Sequence, residues 1–243
     1  MTTNSNLSNM FLIFKKELSS FFNRAVAYIT LLVFLLLAGW FSMNTFFLSN
    51  QSNLRQLFNV IPIIYLAFVP AITMNLIAKE KNEGTLEFLT TMPLRDADIV
   101  IGKFLSSVAL IGIALLFTFP QFITVLTIGN NVDVGALVCG YIGLLLMGSA
   151  YAAIGVFAST ITDNQIVAFI IGFLIISFFF ILDKILMFVP GFLSGILQYM
   201  SSGYHLEGIS RGVIDSRNII YFASIITFFL LLSIRVLEIR KWR

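Results

Sequence analysis

Long apolar runs alternate with short polar stretches along the whole of this 243-residue chain. Six of the runs are long enough to cross a bilayer, since a membrane-spanning helix needs about 20 apolar residues at about 1.5 Å per residue. The pattern therefore predicts an all-α integral membrane protein that forms a single transmembrane domain. The six predicted spans are residues 26–48, 58–78, 99–128, 134–159, 165–189 and 218–237.

The segment before the first span has a different pattern. In residues 9–24 the apolar side chains recur at helical spacing, and Lys15, Lys16 and Glu17 lie off that stripe. A helix with one apolar and one charged face is typical of the membrane interface, where it lies flat rather than crossing. We therefore predict an N-terminal interfacial helix. The alternative is a short helix packed on other protein.

The most charged stretch, residues 79–98, separates the second and third predicted spans. Glu80, Glu83 and Glu87 are spaced i, i+3 and i+7, which predicts three carboxylates on one face of a helix. Exposed apolar side chains are expected on the neighbouring face: Leu86, Phe88 and Leu89. We interpret the stretch as a docking surface for a soluble partner. A solvated helix face without a partner is the alternative.

Glycine and alanine are concentrated in the fourth predicted span, residues 134–159. Small residues let helix backbones approach closely in lipid, so this span is expected in the middle of the bundle. Residues 190–216 are different again, because glycines interrupt them too often for a span and they are too apolar for a free loop. They are expected to form a re-entrant segment or short helices at the outer face.

The composition indicates that most of the protein is surrounded by lipid rather than by water. The chain is 58% hydrophobic and only 11% charged, whereas a soluble domain has about 25% charged residues. Most of its Lys and Arg fall on the side that holds both chain ends and residues 79–98, and the positive-inside rule places that side in the cytoplasm. With a net charge of +3 and no run of basic residues, no nucleic-acid partner is expected.

No set of residues supports a catalytic or metal site. The nearest approach to a phosphate-binding loop is Gly102-Lys103, which is followed by Phe104 and lacks the upstream glycine. His205 is the only histidine and is expected to be a hydrogen-bonded loop residue, since zinc sites need several converging ligands. The one cysteine, Cys139, lies in an apolar span. We predict no catalytic residues, no metal and no cofactor of its own.

The segment EKNEGTLEFLTTMP, residues 80–93, resembles the cytoplasmic motif of type-2 ABC exporter permeases. Two further segments, FKKELSSFFNRAVAYI (14–29) and SRGVIDSRNIIYFASI (210–225), resemble the bacterial gliding-motility permease subgroup, as does the terminal RKW. The family resemblance covers most of the chain.

The resemblance implies a permease subunit of the cytoplasmic (inner) membrane that has no ATPase of its own. ATP would be bound by a separate P-loop ATPase dimer, and a second permease subunit, identical or related, would complete the pathway. In the gliding subgroup it also implies a membrane protein with a large outer domain. The residues that it assigns to coupling with the ATPase are Glu80, Glu83, Gly84, Thr85, Leu86, Glu87, Phe88, Leu89 and Pro93.

Two functions remain open at this point. The first is an ABC exporter permease that moves an undetermined cargo, with ATP-driven closure pushing on residues 79–98. The second is a mechanical or assembly component, in which the same ATPase transmits force to an outer protein and nothing is transported. The predicted spans contain few polar residues, which leaves an apolar cargo and no cargo equally open.

Overall fold

The structure, a computed structural model, describes residues 2–49, 55–86, 95–128, 133–185, 191–213 and 215–240. The regular structure in these residues is α-helix, as the apolar pattern predicts. The helices are α1 (Thr2–Phe22), α2 (Ala25–Ser49), α3 (Arg55–Thr73), α4 (Ala78–Asn82), α5 (Asp96–Leu116), α6 (Phe119–Ile128), α7 (Val134–Ile161), α8 (Gln165–Ile185), α9 (Gly191–Met200), α10 (Ser202–Ser210) and α11 (Ser216–Arg240).

Five segments in the described part of the chain are long and apolar enough to cross a membrane. They are Leu57–Asn82, Asp96–Thr127, Val134–Ile161, Gln165–Ile185 and Ser216–Ile239. A sixth candidate joins Asn9–Phe22 to Ala27–Ser42, two helices that meet at a bend of 73°. The chain is therefore an all-α integral membrane protein.

Helix α7 lies at the centre of the bundle. It contacts α3, α5, α8, α10 and α11, and it is the most deeply buried of the candidate spans. Glycines make this close packing possible: the ring of Phe58 lies over Gly140, and the side chain of Thr73 lies over Gly155, where no Cβ could fit. The small residues of α7 thus place it where the sequence predicts.

Helix α1 packs along α5, with Ile13 against Gly102. Its other side exposes Phe11 and Leu12, whose side chains are 60% and 62% accessible. The helix therefore combines a face packed on protein, the alternative weighed from the sequence, with an exposed apolar face. Its position at the membrane interface stays a prediction.

The long third span is interrupted near Pro120. Helix α5 ends before Phe117 and Thr118, and α6 begins directly after them with Pro120 as its second residue. Proline is tolerated there because the first turn of a helix has no partner for its N–H groups. The Thr118 hydroxyl donates to the Leu115 carbonyl at 2.6 Å and so satisfies one group at the break.

The surfaces of α2, α8 and α11 that face away from α7 are apolar. Leu36, Ile166 and Ile220, one on each helix, are 64%, 69% and 64% exposed. Side chains of this kind recur along all three helices, and a continuous apolar surface of this extent requires lipid as its solvent.

Two short helices, α9 and α10, occupy the segment predicted to form a re-entrant or short-helix structure. His205 lies on α10 rather than in a loop, and it is 2% exposed. Its ring nitrogens lie 2.7 Å from Asn218 Oδ1 and 3.0 Å from the Tyr199 carbonyl oxygen. The ring also stacks on Tyr221, with 3.9 Å between centroids. His205 is thus a buried, hydrogen-bonded residue that fastens α10 to α11.

Candidate functional site

The second span breaks just before the charged stretch. Helix α3 ends at Thr73, residues 74–77 form a turn, and the five-residue helix α4 follows. A break of this kind leaves backbone groups without helical partners. The Ser159 hydroxyl, near the end of α7, accepts hydrogen bonds from the N–H groups of Ile77 (3.1 Å) and Ala78 (2.9 Å). It lies 3.1 Å from the Met74 carbonyl oxygen, to which it donates.

Lysine 103 holds three parts of the molecule together behind this turn. Its ammonium group lies 2.9 Å from Glu17 Oε1 on α1 and 2.8 Å from Glu80 Oε1 on α4. It also donates to the Leu76 carbonyl in the turn, at 2.6 Å. The Lys103 side chain is 1% exposed, while those of Glu17 and Glu80 are 13% and 16% exposed. We call Glu17, Glu80 and Lys103 the buried charge cluster.

The position of Lys103 explains why the cluster forms. The residue is on the third turn from the start of α5, in a segment apolar enough to span the membrane. A cation taken out of water there is costly unless carboxylates and carbonyls surround it. Helices α1 and α4 supply one carboxylate each, so the cluster fixes both of them to α5.

A second set of contacts fastens α4 to the end of α7. The Lys81 ammonium donates to the Thr160 carbonyl and lies 3.6 Å from Asp163 Oδ1. The Lys81 side chain is 6% exposed, whereas that of Asp163 is 69% exposed. Together with Ser159, these contacts tie the short helix to the central helix of the bundle.

The chain turns sharply after α4. Gly84 has φ +70°, a left-handed conformation that glycine adopts without strain. Glu83, just before it, is 54% exposed and lies 3.6 Å from Lys79. The exposed Thr85 follows, and its hydroxyl donates to the Glu80 carbonyl at 3.3 Å.

These positions correct two expectations for the charged stretch. The three carboxylates do not share one helical face, because α4 ends at Asn82 and Glu80 turns inward to Lys103 while Glu83 faces solvent. Leu86 is not an exposed contact residue, since it is 3% exposed and belongs to the hydrophobic core. The other assigned residues lie outside the described part of the chain: Glu87, Phe88, Leu89 and Pro93.

Sequence reasoning missed the two residues that organise this site, Lys103 and Glu17. The sequence indicates for Lys103 only an incomplete phosphate-binding loop and a place among the cations of the cytoplasmic side, and for Glu17 only a charge off the apolar stripe of the first helix. The signal was nevertheless present, because a lysine one to three turns inside an apolar span predicts a buried counter-charge. What the sequence could not supply is the partner, which lies 86 residues away.

Substitutions at Gly84 should loosen the bend. An added Cβ meets nothing within 4 Å, so the cost comes from the backbone alone and is about 1–2 kcal/mol for most residues. Asparagine tolerates this conformation better than β-branched residues do. We expect amide hydrogen exchange of residues 78–86 to be fastest in Gly84→Val, intermediate in Gly84→Asn and slowest in the wild type. Equal exchange in the two variants would contradict this.

Comparison with known protein families identifies the family of the chain. The family model described as ABC-2 family transporter protein matches residues 11–239, which is nearly the whole sequence. The chain belongs to the ABC-2 transporter family. It is therefore a permease subunit of an ABC transporter, and the membership implies partnership with an ABC ATPase subunit. No curated protein matches this ABC-2 permease.

Membrane components of the ABC-2 family are generally not enzymes, and ATP is hydrolysed on the partner subunit. Among the described residues of this ABC-2 permease, no three His, Cys, Asp or Glu side chains are grouped so that they could hold a metal ion. The site around α4 connects an exposed polar turn to three helices of the bundle, α1, α5 and α7.

Proposed function

We propose that residues 78–86 are the element through which the ATPase subunit drives this permease, and we call them the coupling segment. The observation that carries the proposal is the buried charge cluster, which joins the segment to α1 and α5 through Lys103. Because the segment is joined to these helices, a force applied to its exposed side would move α1 and α5. A free loop would deform instead. Membership of the ABC-2 family implies an ATPase subunit as the partner that applies this force.

The two sides of the coupling segment differ in the way that this role requires. Glu83 and Thr85 face solvent, and Lys79 is 29% exposed beside Glu83, so the outer side is polar. Glu80 and Leu86 face the bundle. Through the resemblance we extend the docking surface to residues 87–93, which include Glu87, Phe88, Leu89 and Pro93.

The mechanism that we propose begins with ATP binding and closure of the ATPase dimer. Closure moves the coupling segment as a rigid body, and the contacts of Lys103, Ser159 and Lys81 carry that movement to α5 and α7. Helix α3 follows because it is continuous with the segment through the turn at 74–77. Reorientation of α3 and α8 then changes access to the pathway.

The surrounding assembly is proposed from the resemblance and from charge distribution. We place the chain in a bacterial inner membrane with both termini in the cytoplasm, since most Lys and Arg lie on that side. A second permease subunit, identical or related, completes the complex. The likeness of residues 14–29 and 210–225 to the gliding subgroup supports a role in gliding motility, with an outer-domain membrane protein as a further partner.

The mechanical alternative, in which force is transmitted and nothing is transported, is compatible with the hydrogen bonds inside the spans. Two threonine hydroxyls within the spans form their hydrogen bonds on their own helices: that of Thr73 donates to Val69 O at 2.9 Å, and that of Thr124 to Pro120 O at 2.8 Å. Hydroxyls paired in this way do not form a continuous polar lining. An apolar cargo is equally compatible with them.

Charge reversal at Glu83 tests the docking role. Because the side chain is exposed, Glu83→Lys should leave membrane insertion intact while placing a cation against a surface that fits a carboxylate. We expect about a tenfold loss of ATPase capture, which corresponds to about 1.4 kcal/mol. The measurement is recovery of the ATPase with the tagged chain from native membranes in mild detergent.

Glu207 offers a matched control. It is 65% exposed and pairs with Arg211 four residues later, as Lys79 pairs with Glu83. Glu207→Lys, at the other end of the bundle, should capture the ATPase as the wild type does. Normal capture and normal ATP turnover with Glu83→Lys would overturn the docking role of the coupling segment.

A further inference from the structure

A cavity of about 330 Å³ opens between α1 and the coupling segment. Helix α1 contributes Lys16, Glu17 and Ser20, and Arg24 lies two residues beyond its end. The opposite wall is formed by the turn at 74–77 together with residues 79–85 of the coupling segment. The cavity is thus lined by charged and polar side chains from two separate parts of the chain.

The charges around the cavity are unevenly compensated. Lys79 and Glu83 neutralise each other at 3.6 Å. Lys16 and Arg24 are exposed and have no ion pair with any described residue, so the α1 side presents two uncompensated cations. The buried charge cluster has the opposite balance, because two carboxylates share the single positive charge of Lys103.

Two oxygen atoms of residues that line the cavity also lack donors. Glu80 Oε2 and Asn75 Oδ1 are buried and accept no hydrogen bond from any described residue. A buried acceptor without a donor costs about 1–3 kcal/mol. An occupant that brought a positive charge with N–H groups would supply both the missing charge and the missing donors.

The cavity also lies next to the lipid-facing part of the chain. Helix α1 meets the apolar segment Ala27–Ser42 at a bend of 73°. With that segment along the membrane normal, α1 would run close to the membrane plane, as the sequence predicts. Phe11 and Leu12 are exposed on it. Arg24 lies at the bend, and the predicted interfacial position of α1 would put it at the level of the lipid headgroups.

We propose that this cavity binds the headgroup of a phosphatidylethanolamine molecule from the bilayer. Its phosphate would be held by Lys16 and Arg24. Glu80 Oε2 and Asn75 Oδ1 are closed to solvent as their side chains stand, so the primary ammonium would donate to them once the two side chains rotate toward the cavity. The ammonium would also balance the excess negative charge of the buried charge cluster. Phosphatidylcholine has no N–H groups and phosphatidylglycerol has no cation, so each would satisfy only part of the site.

The test measures lipid binding to the full chain without its ATPase, so its outcome is independent of the proposed coupling role. The chain is purified in mild detergent and exposed to equal amounts of phosphatidylethanolamine, phosphatidylcholine and phosphatidylglycerol with the same acyl chains. Native mass spectrometry then counts the retained lipids. We expect phosphatidylethanolamine to be retained in clear excess over the other two.

Variants separate the site from general surface charge. Lys16→Gln with Arg24→Gln should lower phosphatidylethanolamine retention by about fivefold per charge removed. The matched control, Lys15→Gln with Arg217→Gln, removes the same two residue types at exposed positions that do not line the cavity, and it should retain the lipid as the wild type does.

Three results would overturn the proposal. The first is equal retention of the three lipids by the wild type. The second is an equal loss in the control variant, which would reduce the effect to diffuse electrostatics. In the third, soluble phosphoethanolamine at millimolar concentration binds the chain while no lipid is retained, which would assign the headgroup chemistry to a soluble compound.

Discussion

Replacing Lys103 by methionine should destabilise the permease more than any other single charge removal in its described part. The substitution leaves Glu17 and Glu80, which are 13% and 16% exposed, facing each other without their shared cation. Removing one partner of a buried ion pair costs about 3–5 kcal/mol. We expect a lower melting temperature of the purified chain and faster hydrogen exchange in both α1 and the coupling segment.

Two further variants serve as controls for Lys103→Met. Lys184→Met removes a lysine that is 68% exposed and lies 3.0 Å from Asp183, so it should cost at most about 1 kcal/mol. Combining Lys103→Met with Glu17→Gln and Glu80→Gln removes the stranded charges and should recover much of the lost stability. If Lys103→Met melts like the wild type, or if exchange changes only in α5, the buried charge cluster does not join α1 to the coupling segment.

The second large effect is expected at Gly155, where α7 meets α3. A Cβ added there would overlap Thr73 Oγ1 and lie only 2.8 Å from Thr73 Cβ. The hydroxyl could rotate away, but the Cβ atom is fixed to the backbone of α3, so the helices would have to separate. Overpacking of this kind costs about 1–3 kcal/mol. Gly155→Ala should therefore lower the melting temperature and the yield of folded chain in detergent.

Gly195 provides the comparison for Gly155. It lies in α9, and an added Cβ there meets nothing within 4 Å. Gly195→Ala should be neutral or raise stability by about 0.5–1 kcal/mol, because alanine favours the helix. Similar melting temperatures for Gly155→Ala and Gly195→Ala would show that the close approach of α7 and α3 is not needed for folding.

The helical architecture could be predicted from the sequence because its signal is local. A run of apolar residues predicts a span wherever it occurs, and the small residues of α7 predict a central position through their size alone. The break at 74–77 had no such signal. It depends on Ser159, more than 80 residues away, whose hydroxyl replaces the helical partners of Ile77 and Ala78.

The coupling segment shows why the site was predicted only in part. The bend at Gly84 depends on a local property of glycine, its freedom to adopt a positive φ, which can be read from the sequence alone. The shared face of Glu80, Glu83 and Glu87 was predicted from helical spacing, which assumes that the helix continues. Helix α4 ends at Asn82 instead, and the Glu80 side chain points into the bundle, where it pairs with Lys103. Burial of Leu86 was missed for the same reason, because spacing does not reveal which side of a segment meets the bundle.

The measurement that tests the central claim most directly is photocrosslinking from position 83 in native membranes. A photoreactive amino acid replaces Glu83 in one chain and Glu207 in another, and crosslinked partners are identified by mass spectrometry. The account predicts that position 83 crosslinks to a P-loop ATPase when ATP is present and that position 207 does not. A crosslink to the ATPase from position 207, or none from position 83 while the ATPase co-purifies, would contradict it.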